Sequence, residues 1–455
     1  MQQSLTLCIL FHRYSIMDNI TILSPGIYTY GAMLIGGVLR DAGHRVTLTR
    51  TATAPPAGSL LLMSLFSTQH LLDPEIRNLI RTHRAGGGTV YVGGPVSAAP
   101  EMVLGELAPD AVVVGEGEET VVRLVEEGVS DTLPGIAFLD GDQVIVTPPA
   151  PPAPIDRPLP LIPDDIGSQS IRGASAYIET HRGCIGGCTF CQVPRFFGRM
   201  IRSRPLADII EEVEAFAARG ATRLSVSGGT GSLYGSLDGE MDPEAFVALL
   251  RGMAGVMGPR NVSSPDIRVD CITDEVLDAI RQYTIGWVFF GIESGSDRVL
   301  RLMGKGVTVR EVAEAVERCR EHDLKVAGSF IVGYPGETER DYEATKDLIA
   351  SLCLDDVFVS SAEPIPGTPL ADLVVRTPRE KNPAFVPHTG EYRPLDLTES
   401  EARCFDLMMH ADMYRPQIRL ITDEVYSAYL SEAKKQGRDI RAATDLILRY
   451  ARSRE

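Results

Sequence analysis

A chain of 455 residues can hold two or three domains with sizeable cores, and 44% apolar with 23% charged residues is ordinary for a soluble globular protein. A net charge of −17 argues against a nucleic-acid partner, which calls for a basic face. No apolar run reaches the length of a membrane span. The stretch MQQSLTLCILFHRYS lacks a basic leader region and a cleavage site, and reads as a first strand. Eight cysteines, three in one motif and five scattered (Cys8, Cys271, Cys319, Cys353, Cys404), form no disulfide framework and point to a reducing cytoplasm.

From Ser4 to about Thr147, short apolar runs alternate with helical periods. Strand candidates are Leu5–Phe11, Arg45–Thr49, Leu60–Leu65, Thr89–Val92 and Asp110–Val114; helices include Gly31–Ala42 and Pro74–Arg84. Strands separated by helices predict a doubly wound α/β sheet, with ligands at the carboxyl ends of its strands. Those ends carry Ser64, Leu65, Ser67 and Thr68, then Gly93-Gly94-Pro95, then Gly115-Glu116-Gly117-Glu118. Such glycines let backbone approach a large planar or phosphorylated ligand, although tight strand–helix turns would use them too. His70 is a lone histidine at a helix start, a position more often solvated than ligating.

Residues 135–147 read as a hairpin, and the proline-rich stretch 148–170 as an extended linker. Six strand–helix units follow in residues 171–375. Their strands are Ala176–Thr180, Thr222–Ser227, Asp266–Asp270, Trp287–Ile292, Lys325–Val332 and Asp356–Ser361, which suggests a partial (β/α)6 barrel with chemistry at its C-terminal mouth.

After the first of these strands comes HRGCIGGCTFC, with Cys184, Cys188 and Cys191 at spacing C-x3-C-x2-C. Its glycines argue against a helix and for a loop that wraps a bulky inorganic group. Four cysteines normally hold a cubane iron–sulfur cluster, so three without a fourth nearby leave one iron open. A structural Cys3His zinc site including His181, or ordinary buried cysteines, are the plainer readings.

The motif, with Phe190 before its third cysteine, resembles that of the radical S-adenosylmethionine enzymes. The run VGGPVSAAPEMVLGELAPDAVVVGEGEET resembles the cobalamin-binding domain of one large class of them. The resemblance implies a [4Fe–4S] cluster on the three cysteines, S-adenosylmethionine on the open iron, and cobalamin (as methylcobalamin) in residues 1–147. It also implies S-adenosylmethionine contacts from Phe190, from Gly228, Gly229 and Thr230, from Glu293 and Ser294 in GIESGSDRVLRLMGKG, and from Val332 and Tyr334 in FIVGYPGET. Asp270 competes with Glu293 for the ribose. The cobalt-ligating D-x-H-x-x-G motif is absent, so no lower cobalt ligand can be named.

The implied activity is methyl transfer to an unactivated sp3 carbon, with cyclisation or rearrangement without methylation as the alternative, or methylation of a lipid or small molecule. A methylthiotransferase is disfavoured, because its first domain brings its own cysteines and here there is only Cys8. The motifs are also similar to those of methanogen enzymes that C-methylate a glutamine of methyl-coenzyme M reductase, which implies a peptide or protein substrate. An external electron donor is required, and the chain is expected to act as a cytoplasmic monomer. Residues 376–455 turn helical, over Thr398–Tyr414 and Ile418–Lys435, and are expected to close the barrel mouth; Met408, Met409 and Met413 read as core.

Overall fold

The computed structural model describes residues 19–452 apart from 54, 56, 57, 228, 229, 238, 265, 418 and 419. The expected strand Leu5–Phe11 therefore lies outside the described residues, as do Gly228 and Gly229. The first described strand is β1 (Ile20–Leu23), which sequence reading did not name. It joins β2 (Val46–Thr49), β3 (Leu60–Ser64), β4 (Thr89–Gly93), β5 (Ala111–Val113), β6 (Ile136–Asp140) and β7 (Gln143–Val146) in one sheet of order β2-β1-β3-β4-β5-β6-β7. Pairing is parallel through β5 and antiparallel at the terminal hairpin.

The sheet is buried on both faces, which explains its near-continuous apolar runs. On β3, Leu61 and Met63 enter one core while Leu60 and Leu62 enter the other, as a period of two requires. Helices α1 (Tyr30–Asp41), α2 (Gln69–Leu72), α3 (Pro74–Ala85), α4 (Pro100–Leu107) and α5 (Glu118–Glu127) cover it. Thr29 caps α1 by accepting from the Ala32 amide, and Asp73 caps α3 by accepting from that of Glu75. The linker lies along α1, where the Leu161 amide donates to the Met33 carbonyl at 2.7 Å.

The second half is built as two three-stranded parallel sheets. One has order β12-β11-β8, from β8 (Ala176–Glu179), β11 (Leu224–Ser227) and β12 (Val262–Ser263). The other has order β13-β14-β15, from β13 (Trp287–Glu293), β14 (Lys325–Val332) and β15 (Asp356–Ser361). Among the described residues one bridge, Asp266 to Phe289, connects the two, giving the six-stranded partial barrel. The third strand is thus displaced from the expected Asp266–Asp270: pairing ends at Ser263, just before Pro265, and residues Val269–Cys271 form a 3-10 turn. A short ribbon of β9 (His181–Arg182) and β10 (Arg202–Ser203) brackets the cysteine loop.

Helices α6 (Val193–Phe196), α7 (Leu206–Ala218), α8 (Pro243–Met257), α9 (Asp274–Tyr283), α10 (Asp297–Leu302), α11 (Val309–Glu321), α12 (Glu339–Leu352) and α13 (Pro369–Arg376) alternate with these strands. Beyond them come α14 (Glu399–Met413), opened by the expected capping box of Thr398 and Glu401, and α15 (Asp423–Arg452). The last helix overruns the expected end at Lys435. Gly437, a natural stop signal, lies inside it, and a Cβ there would stand 2.1 Å from Oε1 of Glu401 on α14. Close helix packing outweighs the roughly 1 kcal/mol a mid-helix glycine costs.

α15 meets the C-terminal end of β15, where Gln436 accepts from the Ser361 amide at 2.9 Å, and its far end runs on to the first sheet. Leu446 and Ile447 join the core of the first sheet, and Tyr450 hydroxyl donates to Glu106 of α4 at 3.1 Å. Met408 and Met409 pack against the barrel core as expected, but Met413 is exposed. Among the described residues no helix is long and apolar enough to cross a membrane.

Candidate active site: a cysteine loop and a cavity with a shared wall

Cys184, Cys188 and Cys191 lie at the C-terminal end of β8, each half-buried. The loop is held by backbone. Cys184 N–H donates to the Gly198 carbonyl (3.3 Å), Cys191 N–H to Cys188 (3.3 Å), and Thr189 N–H to Met303 (2.8 Å). Gly183 sits at φ +95°, where a Cβ would meet the Met200 carbonyl at 2.2 Å, so no side chain fits there. A Cβ on Gly186 would stand 3.4 Å from the Cys184 sulfur, 3.8 Å from the Cys188 sulfur and 3.5 Å from Nη1 of Arg268. Two thiols and a guanidinium therefore converge on one bare point of backbone.

Burial pushes the Cys188 and Cys191 thiols up, with Lys305 opposing that at Cys188 and the Val193 backbone amide at Cys191. Left free they stay protonated near neutrality, and a metal centre would have to displace those protons. Arg268 and Lys305 supply positive charge beside the thiols. Nearly buried Lys305 pairs with Glu293 at 3.0 Å; burial pulls the ammonium down, and Glu293 and Cys188 together more than offset it.

The S-adenosylmethionine candidates fall into two groups. Glu293, at the mouth end of β13, has φ +70° at a break in strand register and accepts from Lys305 and from Ser329 Oγ (3.2 Å). Asp270 is held by both Nε (2.8 Å) and Nη2 (2.6 Å) of Arg268, so it too is tied to the loop. Thr230 opens the turn after β11. The others lie behind the loop. Tyr334 is buried, shares a 2.7 Å hydrogen bond with Thr189, and belongs to the apolar cluster against which Phe190 packs. Val332 is buried with its carbonyl accepting from Ala362 N–H, and the buried Ser294 hydroxyl faces Thr345 (3.4 Å) and accepts from the Ser296 amide.

The first sheet opens into a cavity at the C-terminal ends of its strands. Its lining includes Ile22 of β1 and Leu62, Met63 and Ser64 of β3, the pair where strand order reverses and where doubly wound sheets bind ligands. Gly93, Gly94, Pro95, Gly115, Glu116, Gly117 and Glu118 also line it, whereas Leu65, Ser67, Thr68 and His70 do not. Gly94 has φ +92°, and a Cβ there would meet the Leu65 carbonyl at 2.6 Å. His70 stacks edge-on against Phe66, a lining residue, at 4.6 Å; its Nδ1 is buried without a hydrogen-bond partner.

The opposite wall comes from the second half of the chain. Glu179, Arg182, Phe196, Phe197 and Ser227 face the same space, and Phe196 follows Cys191 by five positions. Arg182, immediately before the cysteine loop, holds Glu116 (2.6 Å), Glu118 and Glu179 (2.9 Å) at once, with only 4% of its side chain exposed. Arg202 adds a second cation to Glu116, and Arg157 a second to Glu179 (2.6 Å). The carboxylates of the Gly-Glu-Gly-Glu loop are therefore occupied in bracing the two halves. Gln192 repeats the link, donating to the Pro95 carbonyl at 2.8 Å.

Sequence reading missed Arg182, Arg202, Phe196, Phe197, Arg268 and Lys305. A signal existed for the arginines. Arg182, Arg195, Arg199, Arg202 and Arg204 fall between Glu179 and Asp208 with no acidic residue among them, in a strongly acidic chain.

Residues 178–349 match the radical SAM superfamily. The protein MJ0865 of Methanocaldococcus jannaschii, provisionally named a methylthiotransferase, is 50% identical over 437 residues, covering 95% of this chain and 96% of that one. The tRNA-2-methylthio-N(6)-dimethylallyladenosine synthase of Yersinia pestis is 27% identical over 335 residues, 70% of this chain and 66% of that one. Among solved structures, the radical S-adenosylmethionine methyltransferase TsrM of Kitasatospora setae, with cobalamin and a [4Fe-4S] cluster bound, superposes with a TM-score of 0.65 at 17% identity, over 94% of this chain and 100% of that one. OxsB, a cobalamin-dependent S-adenosylmethionine radical enzyme, gives 0.61 at 15% identity over 93% of this chain and 62% of that one. These two likenesses establish a common fold. With half its residues identical to MJ0865 across nearly all of both chains, and the superfamily match lying over the barrel that carries the three thiols, this chain belongs to the radical SAM superfamily.

Proposed function

We propose that the protein is a cobalamin-dependent radical S-adenosylmethionine C-methyltransferase acting on an unactivated sp3 carbon of a peptide or protein residue. The observation that carries this reading is the shared wall: the cavity at the first sheet's strand ends is closed by Arg182, Phe196 and Phe197, which flank the cysteine loop. The cavity suits a large, mostly apolar macrocycle, since its floor is β-strand side chains and its rim bare glycine backbone. Ser64, Gly93, Gly94 and Gly115 would hold cobalamin, and no histidine is among the lining residues. Cys184, Cys188 and Cys191 would hold the cluster, with Arg268 and Lys305 balancing its charge, and Glu293 and Asp270 would take polar groups of S-adenosylmethionine. When bound, these groups supply a carbon-centred radical and a methyl group. The chain's part is to set both against one substrate carbon and to keep water out.

Methylthio transfer is the second reading, favoured by the names of the two relatives. Against it, residues 1–147 contain one cysteine, Cys8, where that chemistry brings several, and the net charge of −17 suits a peptide better than RNA. The glutamine of methyl-coenzyme M reductase is the substrate we would offer first. Anaerobic turnover of the glutamine peptide with S-adenosylmethionine, methylcobalamin and a strong reductant should add one methyl to carbon, read by mass spectrometry. Addition of methyl plus sulfur, or turnover of a transfer RNA or lipid with peptides inert, would replace this reading.

A further inference from the structure

The arginines around the cysteine loop divide into two sets. Arg182, Arg202 and Arg204 are turned inward and satisfied by Glu116, Glu118, Glu179 and Glu212. Arg195 and Arg199 are exposed, and among the described residues no carboxylate lies within ion-pair distance of either. Each nevertheless has a fixed place. Arg195 Nη1 donates to the carbonyls of Cys188 (2.8 Å) and Cys191 (2.5 Å), and Arg199 Nη2 donates to that of Ile185 (2.6 Å). Next to Arg199 in the chain stands Met200, 72% exposed. The neighbouring segment, docked by the Gly235 amide on Ser203 Oγ (2.9 Å) and by Gly239 close to Ile185, presents Leu237, 77% exposed.

On a chain of net charge −17, a face with two unpaired cations and two large bare apolar side chains is out of character. Charged side chains without carboxylates are cheap to leave in water, but exposed Met and Leu side chains beside them are the composition of a contact surface. Its place is specific as well, because both cations are bonded to backbone carbonyls of the cysteine loop, Arg195 to those of Cys188 and Cys191 and Arg199 to that of Ile185.

We propose that the face formed by Arg195, Arg199 and Met200, flanked by Leu237, is the landing site of an acidic one-electron carrier protein that reduces the cluster. The inference rests on the reading that Cys184, Cys188 and Cys191 hold a [4Fe–4S] cluster. The step is a single electron transfer: the reduced carrier loses one electron, the cluster passes from the 2+ to the 1+ state, and no bond is made or broken. Charge selects the partner. The protein as a whole repels another acidic molecule, so only a local basic face over the electron's destination gives a productive encounter. An RNA partner is less well matched, since two free arginines release few counterions against so large a negative charge.

The test mixes anaerobic holoenzyme with a reduced acidic flavodoxin in a stopped-flow instrument and follows bleaching of cluster absorbance at low and high salt. Arg195→Gln with Arg199→Glu should slow second-order reduction at least tenfold and flatten its salt dependence. Met200→Glu, which touches no cluster-loop hydrogen bond, should slow it several-fold at wild-type iron content. Arg260→Glu, a charge reversal at an exposed arginine on another face, larger than the change made by Met200→Glu, should leave the rate unchanged. Photoreduced deazaflavin, a small uncharged donor, should reduce all four proteins alike. Flavodoxin reducing the Met200→Glu protein at the wild-type rate would overturn the proposal, as would an equal loss from Arg260→Glu. So would titrations in which transfer RNA, and not flavodoxin, binds the wild type and is lost from the variants. Should the wild type carry no cluster, the function proposed above fails; the binding titration with oxidised flavodoxin then still decides whether this face docks an acidic carrier.

Discussion

The cysteine loop and the first-sheet cavity are two binding places built on opposite principles. The loop is made of side-chain chemistry: three thiols fixed by position, with Arg268, Lys305 and Glu293 arranged around them. The cavity is made of shape, with glycine backbone at its rim and ordinary core side chains such as Leu62, Met63 and Val113 as its floor. A cluster needs particular donor atoms, whereas a macrocycle needs room and close backbone approach. The two should therefore fail differently when mutated, and Arg182, which belongs to both, should fail in both ways.

The largest effect should come from replacing Cys184, Cys188 and Cys191 with alanine. Iron content and visible absorbance should fall to background and no 5′-deoxyadenosine should form, while cobalamin stays bound to the cavity. Loss of cobalamin from the same protein would show that the two places are not separable.

Arg182→Ala should come next. It leaves Glu116, Glu118 and Glu179 facing one another in a nearly closed interface, and removing one partner of a buried ion-pair network costs about 3–5 kcal/mol. Urea unfolding should register that loss. Cobalamin affinity and cluster retention should fall together, since Arg182 joins the rim of one site to the root of the other. An unchanged unfolding midpoint would refute the bracing role.

Gly94→Ala is narrower. Gly94 sits at φ +92° and ψ −173°, an extended positive-φ conformation that costs a non-glycine residue about 1–3 kcal/mol, and the new methyl would press on the Leu65 carbonyl. Cobalamin should bind at least tenfold more weakly by spectrophotometric titration, with cluster absorbance intact.

The smallest effect belongs to a residue of neither site. Burial pushes the Asp266 carboxyl up to about 6, with Arg172 opposing it. A carboxyl raised on folding favours the folded state less as pH climbs through that value, relative to acid conditions where it is protonated in both states. Asp266→Asn should therefore be more stable than the wild type at pH 8 and not at pH 4, by urea unfolding, with both cofactors retained. Equal differences at the two pH values would remove the account of its burial.

The same contrast explains what could be read from the sequence. The thiol motif was legible because donor atoms must occur at fixed spacing, and the β3 and β4 strands because buried parallel strands leave unbroken apolar runs. Asp266–Asp270 misled because its alternation imitates a strand, while Pro265 denies the ladder a donor. The end of α15 was hidden by Gly437, whose missing side chain serves packing against Glu401 and not a helix stop. The cavity's floor carried no signal distinct from core. The functional weight of Glu116 and Glu118 was visible only as charge complementarity with the arginine run, a long-range pairing that local pattern does not resolve.

The central claim is that the cavity and the cysteine loop serve one reaction across the wall made by Arg182, Phe196 and Phe197. Pulsed paramagnetic resonance on protein loaded with cob(II)alamin and a reduced cluster measures this directly, through the dipolar coupling of the two spins. The account predicts a resolved coupling between them, with no nitrogen splitting on cobalt from a protein imidazole. Two independent, uncoupled spectra in protein that holds both groups at full occupancy would contradict it.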